Sequence, residues 1–345
     1  MKTPLARGPV TSALIDVLAL APAEAAEALE HLEAQVRTAV AATADLLRDD
    51  DLQLALFCLN EIPHLGLEGV DERWEWDPRL IAVRSLVERH FEEVLRERVP
   101  VPTLPEPTAG AVAETLFALA ADDSGPSMSR YIAKRATAEQ LREFLAFRSI
   151  YQLAEADPHS WAIARLSGRA KVALVEIQAD EYGGGRPEHM HATLYARAMR
   201  GLGLDDRYGA YVDHVPAIVL ASSNLMSLFA LHRRLRGAIV GHLAAYEMTS
   251  SIPSRRYGNG FRRLGHGPEI TRYFDEHIEA DAVHEQIAAR DLAGGLVEDE
   301  PGVLADVLFG AAAYLTVDAW MSEEILASWD AGGTCLREPL LVVAA

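Results

Sequence analysis

Apolar residues recur at three- and four-residue spacing through most of the chain, and Ala, Leu, Glu and Arg fill many of the positions around them. Alternation of period two, the mark of a half-buried strand, is nearly absent, so the pattern predicts an all-α protein. Ala23 to Leu47 reads as one long amphipathic helix. Pro78 to Val99 reads as another, opened by a proline whose missing amide has no helical partner in a first turn anyway. Pro100, Pro102, Pro105 and Pro107 then stop the helix, because each lacks an amide donor and fixes φ. They divide the chain into an N-terminal helical region at 1–99, a proline-rich linker at 100–110 and a larger domain at 111–345. Within that domain helices are expected near Ala111 to Ala121, Thr137 to Ala156, Trp161 to Tyr182, Pro187 to Met199, Tyr208 to Met226, Leu228 to Thr249, Ile270 to Ala293 and Pro301 to Ala327.

Composition narrows what such a helical protein does. With 345 residues, half of them hydrophobic, the chain can bury one large core or two modest ones, and disorder is excluded. A formal charge of −19 repels phosphate backbones and anionic headgroups, so neither nucleic acid nor a membrane surface is an expected partner. Lys2 and Arg7 ahead of the apolar stretch from Ala13 to Ala21 imitate a secretory signal, but Asp16 interrupts it and a cytoplasmic protein is expected. Apolar runs long enough to span a bilayer without charges are not evident. Cys58 and Cys335 are too few for a disulfide framework or a thiolate zinc site, which leaves any metal to His, Asp and Glu.

The stretch from His277 to His284 is the most informative. Offsets of four and seven residues place His277, Asp281 and His284 within roughly a 60° arc of one helical face. Two imidazoles and a carboxylate on one stripe form a metal-ligand arrangement, the alternative being a solvated polar face. Glu279 falls on the opposite side. Asp281 and His284 make a carboxylate-x-x-His pair, and Glu188 and His191 make a second. Two such pairs plus one Glu from each of two further segments is the ligand inventory of a carboxylate-bridged di-iron or di-manganese site in a helical bundle. Glu181, ahead of the Gly183 to Gly185 run, can supply one of these, and Glu155, ahead of Pro158, is a weaker choice for the other. Glu61-x-x-His64 is a competing pair that lies before the proline-rich segment. The glycine run lacks the following Lys-Ser/Thr and preceding strand of a nucleotide loop. His189 faces away from His191.

Taken together, Glu155, then Glu181 followed by three glycines, then Glu188 and His191, then His277, Asp281 and His284, resemble the iron-containing redox enzyme family of heme-oxygenase-like di-iron oxidases. The resemblance is close from about Tyr151 to Glu285 and weaker around Glu61 and Trp74 to Pro78. It implies a heme-oxygenase-like helical bundle in which those seven residues, Glu155, Glu181, Glu188, His191, His277, Asp281 and His284, surround two irons. Four carboxylates would balance two Fe²⁺, so the reduced site would be electrically neutral and tolerate burial. Oxygen donors with three histidines suit iron or manganese better than zinc, and calcium would want no histidine.

The function expected on this basis is O₂-dependent oxidation of a small amino- or carboxyl-bearing molecule, by N-oxygenation, oxidative decarboxylation, desaturation or C–C cleavage, in specialised metabolism. Two Fe(II)/Fe(III) ions are the expected cofactor and O₂ the co-substrate, with an external electron donor and a homodimer as further expectations. Ser254 to Tyr257 offers two guanidinium groups for a substrate carboxylate, a surface loop being the other reading. A ferritin-like storage protein and a dinuclear metal-dependent hydrolase are the alternatives. His277 exceeds the ligand set of a ferritin-type site, and the polar, acidic cluster is unlike a heme pocket.

Overall fold

The computed structural model describes residues 1–122 and 126–340, apart from the side chains of 279–282, and among them every regular element is helical. Sixteen α-helices follow in chain order: α1 Pro9–Leu18, α2 Ala26–Ala42, α3 Asp50–Glu61, α4 Pro78–Arg98, α5 Ala109–Ala121, α6 Met128–Lys134, α7 Ala138–Gln152, α8 Asp157–Ser160, α9 Gly168–Glu181, α10 His191–Gly201, α11 Ala217–Leu231, α12 Arg236–Met248, α13 Ser251–Arg263, α14 Pro268–Gln286, α15 Gly295–Asp299 and α16 Leu304–Asp330. They form two compact units, one of Met1–Arg98, Tyr208–Asn224 and Leu336–Pro339, the other of Val99–Arg207, Leu225–Cys335 and Leu340–Ala345. The sequence-based division at 99 thus lies beside the first limit, but the segments at 208–224 and 336–339, expected in the larger domain, group with the N-terminal helices instead.

In the smaller unit, the stretch that imitated a signal is α1, whose buried Val10, Ala13, Leu14, Val17 and Leu18 make an ordinary helical stripe. Asp51 from α3 caps it, accepting the amides of Val10 and Thr11 at 2.8 Å each. The helix expected from Ala23 to Leu47 is shorter, because Thr43 turns to an extended conformation and Asp45 caps a separate turn at Leu46–Arg48. Asn224 donates to the backbone oxygen and side-chain oxygen of Gln53 (2.9 and 2.8 Å) and accepts from Asn60 (3.1 Å), all three being buried. Tyr208 donates to buried Glu61 at 2.9 Å. These partners explain why residues 208–224 belong with the first helices.

The larger unit is built on α12 and α16. A Cβ on Gly241 would fall 1.8 Å from the Val307 carbonyl oxygen, and one on Gly310 would fall 1.9 Å from that of Ala238, so glycine is what lets these backbones approach. Helix 16 with its preceding turn, Pro301–Asp330, is long and apolar enough by composition to cross a membrane, yet 56% of its apolar window is buried inside the structure, as a core helix requires. Six helices were not anticipated from periodicity: α1, α3, α6, α13 and the short α8 and α15. Several expected helices are broken. His232 takes an extended conformation before α12, Leu166 does so before α9, and Gly168 opens α9 at φ 54°.

Candidate metal centre

Six buried acid and histidine side chains of the larger unit converge. Glu155, Glu181, His191 and His277 form one group and Glu181, Glu247 and His284 a second, and within each group the potential ligand atoms lie within 4.8 Å of one another. Glu181 belongs to both.

Local structure explains how each side chain arrives. Glu155 follows the end of α7 in a turn whose next residue, Ala156, has φ 75°, the single non-glycine positive φ among the described residues. Gln178 on α9 donates to the Ala156 carbonyl at 2.7 Å and steadies that turn. Glu181 is the last residue of α9. Gly183, Gly184 and Gly185 follow with φ of 70°, 59° and 79°, a run of left-handed residues that only glycine adopts cheaply. A Cβ on Gly183 would sit 2.6 Å from the Met190 amide nitrogen, so the chain folds back tightly there. His191 opens α10 and returns to Glu181, its Nδ1 lying 2.8 Å from Oε2. Glu247 comes from the end of α12, and His277 and His284 from α14. An eight-residue π-helix, Ile287–Gly294, continues α14 beyond His284; such wide turns often accompany functional sites.

The helix expected from Pro187 to Met199 does not exist as one element. Pro187–His189 is a single 3₁₀ turn, and Met190, at ψ 131°, separates it from α10. Glu188 and His191 therefore do not share a helical face; Glu188 is exposed and stands outside the cluster, while His191 is buried within it. Glu247 occupies a place in the cluster that the sequence reading did not fill. Its signal was present, since it is the one carboxylate in the largely apolar stretch from Ala238 to Met248, which also holds His242. Asp281 lies outside the residues whose side chains are described; its backbone continues α14 between His277 and His284. His189 is half-buried and contacts Arg272 at 3.3 Å. Glu61 and His64, 3.5 Å apart, belong to the smaller unit.

Outer partners orient the imidazoles. His277 Nδ1 lies 2.8 Å from the Tyr273 carbonyl, which can only accept, so Nδ1 carries hydrogen and Nε2 turns toward Glu155 Oε1 at 3.4 Å. His284 Nε2 lies 3.0 Å from Asp180 Oδ2, leaving Nδ1 toward Glu247 Oε2 at 3.3 Å. Tyr273 donates to both oxygens of Glu155 at 3.1 and 3.0 Å, Tyr246 donates to Oε1 at 3.2 Å, and Gln152 donates to both tyrosines at 2.7 and 2.8 Å.

These contacts set the charge. Burial opposes ionisation of Glu155, but the hydrogen bond and charge of His277 and the charge of His191 hold its carboxyl below the ordinary value. Burial raises Glu247, with His284 opposing. Burial pulls the His284 imidazole down, and Glu247 and Asp180 outweigh it and carry it up to about 9. An imidazole lone pair facing a carboxylate oxygen repels it unless a cation lies between. The cluster therefore demands positive charge, from protons or from metal ions, and its donors of three carboxylates and three imidazoles fit iron.

Comparison with known proteins agrees with this chemistry. Residues 142–319, more than half of the chain, match the family described as iron-containing redox enzyme, and that span holds all six clustered side chains. Over 163 residues, 47% of the chain, the sequence is 26% identical to a nitrosourea synthase of Streptomyces achromogenes subsp. streptozoticus, and the match covers 35% of that protein, about a third of its length.

Proposed function

Because the chain belongs to the iron-containing redox enzyme family and has its all-α, heme-oxygenase-like fold, we propose that this oxidoreductase is a non-heme di-iron, O₂-dependent oxidase or oxygenase acting on a small amino- or carboxyl-bearing molecule. The observation that carries the reading is Glu181, whose carboxylate is common to both ligand groups, as a carboxylate bridging two metal ions would be. Glu155, His191 and His277 would hold one iron and Glu247 and His284 the other, with Asp281 placed on α14 to complete the charge balance. Two ferrous ions bound there would supply electrons to O₂. The protein's own part is positional. Tyr246 and Tyr273 fix Glu155, the Tyr273 carbonyl and Asp180 fix the two imidazoles of α14, and burial keeps bulk water from the cluster.

The likeness to a nitrosourea synthase keeps oxidation at nitrogen, within specialised metabolism, among the reactions covered by this proposal. An external electron donor would return the irons to the ferrous state between turnovers. Stopped-flow mixing of anaerobically Fe²⁺-loaded protein with O₂ tests the reading: substrate is expected to accelerate an optical transient and O₂ uptake. Uptake indifferent to every organic candidate would favour iron storage, and hydrolysis without uptake would favour a hydrolase.

A further inference from the structure

A cavity of about 530 Å³ in the larger unit lies against the metal cluster, with His277 in its wall beside Tyr246 and Tyr273, the two tyrosines that hold Glu155. Its size is that of a small-molecule site. The rest of the wall is mixed, with Phe144, Met248, Ile252, Phe274 and Leu315 apolar and charged groups standing among them. Arg148 and Asp318 form an ion pair at 2.8 Å that opens onto this cavity, and Asp318 keeps Arg148 charged against its burial. Arg256, on α13, lines the same space, and its Nη1 donates to the Ser129 hydroxyl at 3.3 Å. Among the described residues Arg256 pairs with no carboxylate, in a chain whose formal charge is −19.

These groups decide what can fill the space. A guest of hydrocarbon alone would match the apolar residues but add no partner to the ion pair, the guanidinium or the phenol groups, whereas a charged guest can meet both parts of the wall. A carboxylate can meet Arg256 in the paired geometry that guanidinium favours, with the Ser129 hydroxyl beside it. An ammonium can meet Asp318, which then serves two cations. Resting on the di-iron reading for the chemistry but not for the binding, we infer that this cavity is the substrate chamber and that it selects a small zwitterion, with Arg256 and Ser129 receiving the carboxylate and Asp318 the amine. A long-chain fatty acid, which carries no amine for Asp318, is thereby disfavoured against an amino acid. The segment at Ser254 to Tyr257 is accordingly no surface loop: Ser254 is buried, and Ser254, Arg256 and Tyr257 all line the chamber.

Calorimetric binding to the full-length protein, both metal-free and Fe²⁺-loaded under argon, tests the assignment. The probes are the twenty proteinogenic amino acids and dodecanoate, followed by the amide and the deaminated 2-hydroxy analogue of the tightest amino acid. At least one amino acid is expected to bind, its amide and hydroxy analogue each about tenfold or more weaker, and dodecanoate not measurably. Arg256→Gln should weaken the acid by about tenfold or more and leave the amide unchanged. Asp318→Asn risks leaving Arg148 unpaired, so the ligand series on the unaltered protein carries the amine arm. Tighter binding of dodecanoate, no binding of any amino acid, or an unchanged affinity in Arg256→Gln would overturn the proposal. Because these readouts exist without iron, a failure of the di-iron reading leaves them interpretable.

Discussion

Each compact unit buries a polar cluster, and the two are built on opposite principles. In the smaller unit, Gln53, Asn60 and Asn224 exchange hydrogen bonds between neutral amides, with Gln53 also donating to the Leu46 carbonyl at 2.9 Å. Every side-chain polar atom of the three but the Asn60 amide oxygen finds a partner, and no charge is left to balance, so the network serves packing. In the larger unit, three carboxylates and three imidazoles face one another. That set is complete only when positive charge enters it. A buried polar cluster is therefore read for function by asking whether it needs charge from outside, and of these two only the second does.

The largest effect should follow from removing the shared carboxylate. Glu181→Ala is expected to lower O₂-dependent turnover by about 100-fold or more and to cost both irons, measured by metal analysis after anaerobic reconstitution, while circular dichroism stays helical. Loss of one iron alone would show that Glu181 serves a single metal position.

Stability effects come next. Gly241→Val would press a side chain into the Val307 carbonyl and separate α12 from α16, so denaturant unfolding should show a loss of about 3 kcal/mol or failure to fold, with Glu247 displaced from the cluster. Asn224→Leu should cost about 1–3 kcal/mol by stranding the amides of Gln53 and Asn60, yet leave iron stoichiometry unchanged. Altered iron content in Asn224→Leu would erase the distinction between the clusters.

A third buried pair sharpens the contrast. His159 and His242 contact each other at 3.1 Å, and burial pushes His159 down to about 3 and His242 well below its ordinary value. Both are neutral when folded, whereas the unfolded chain takes up protons below about pH 6.5. Native stability should thus fall as pH drops from 6.5 to 5 in metal-free protein. The double variant His159→Leu with His242→Leu should flatten that slope, by about 0.7 kcal/mol per pH unit for each histidine at pH 6.5 and about 1.4 near pH 5. The contribution of His284, raised to about 9, is largely present at pH 6.5, becomes fully so toward pH 5 and changes little between them. The smallest effects belong to the residues left out of the cluster: Glu188→Gln, and Glu61→Gln combined with His64→Gln, should keep turnover within a few-fold and leave the iron count intact.

Sequence patterning made the helical class legible, and His277 and His284 on α14 were visible because their seven-residue offset needs only one continuous helix. Glu188 stands outside the cluster for the complementary reason: its spacing to His191 places both on one face only if the helix runs unbroken, and Met190 breaks it. Glu247 sits thirty residues before His277, and its helix carries no second ligand to announce it; only a charge in an apolar stretch marked the position. The cavity wall is less legible still, since Arg148, Arg256 and Asp318 come from α7, α13 and α16 and meet only in the folded chain.

The dinuclear centre is tested most directly by anaerobic titration of the full-length protein with ⁵⁷Fe²⁺, read by metal analysis and Mössbauer spectroscopy. The account predicts about two irons per chain at saturation, falling to about one in Glu247→Gln because Glu155, His191 and His277 still hold the other. Saturation at a single mononuclear iron, unaffected by Glu247→Gln, would contradict it.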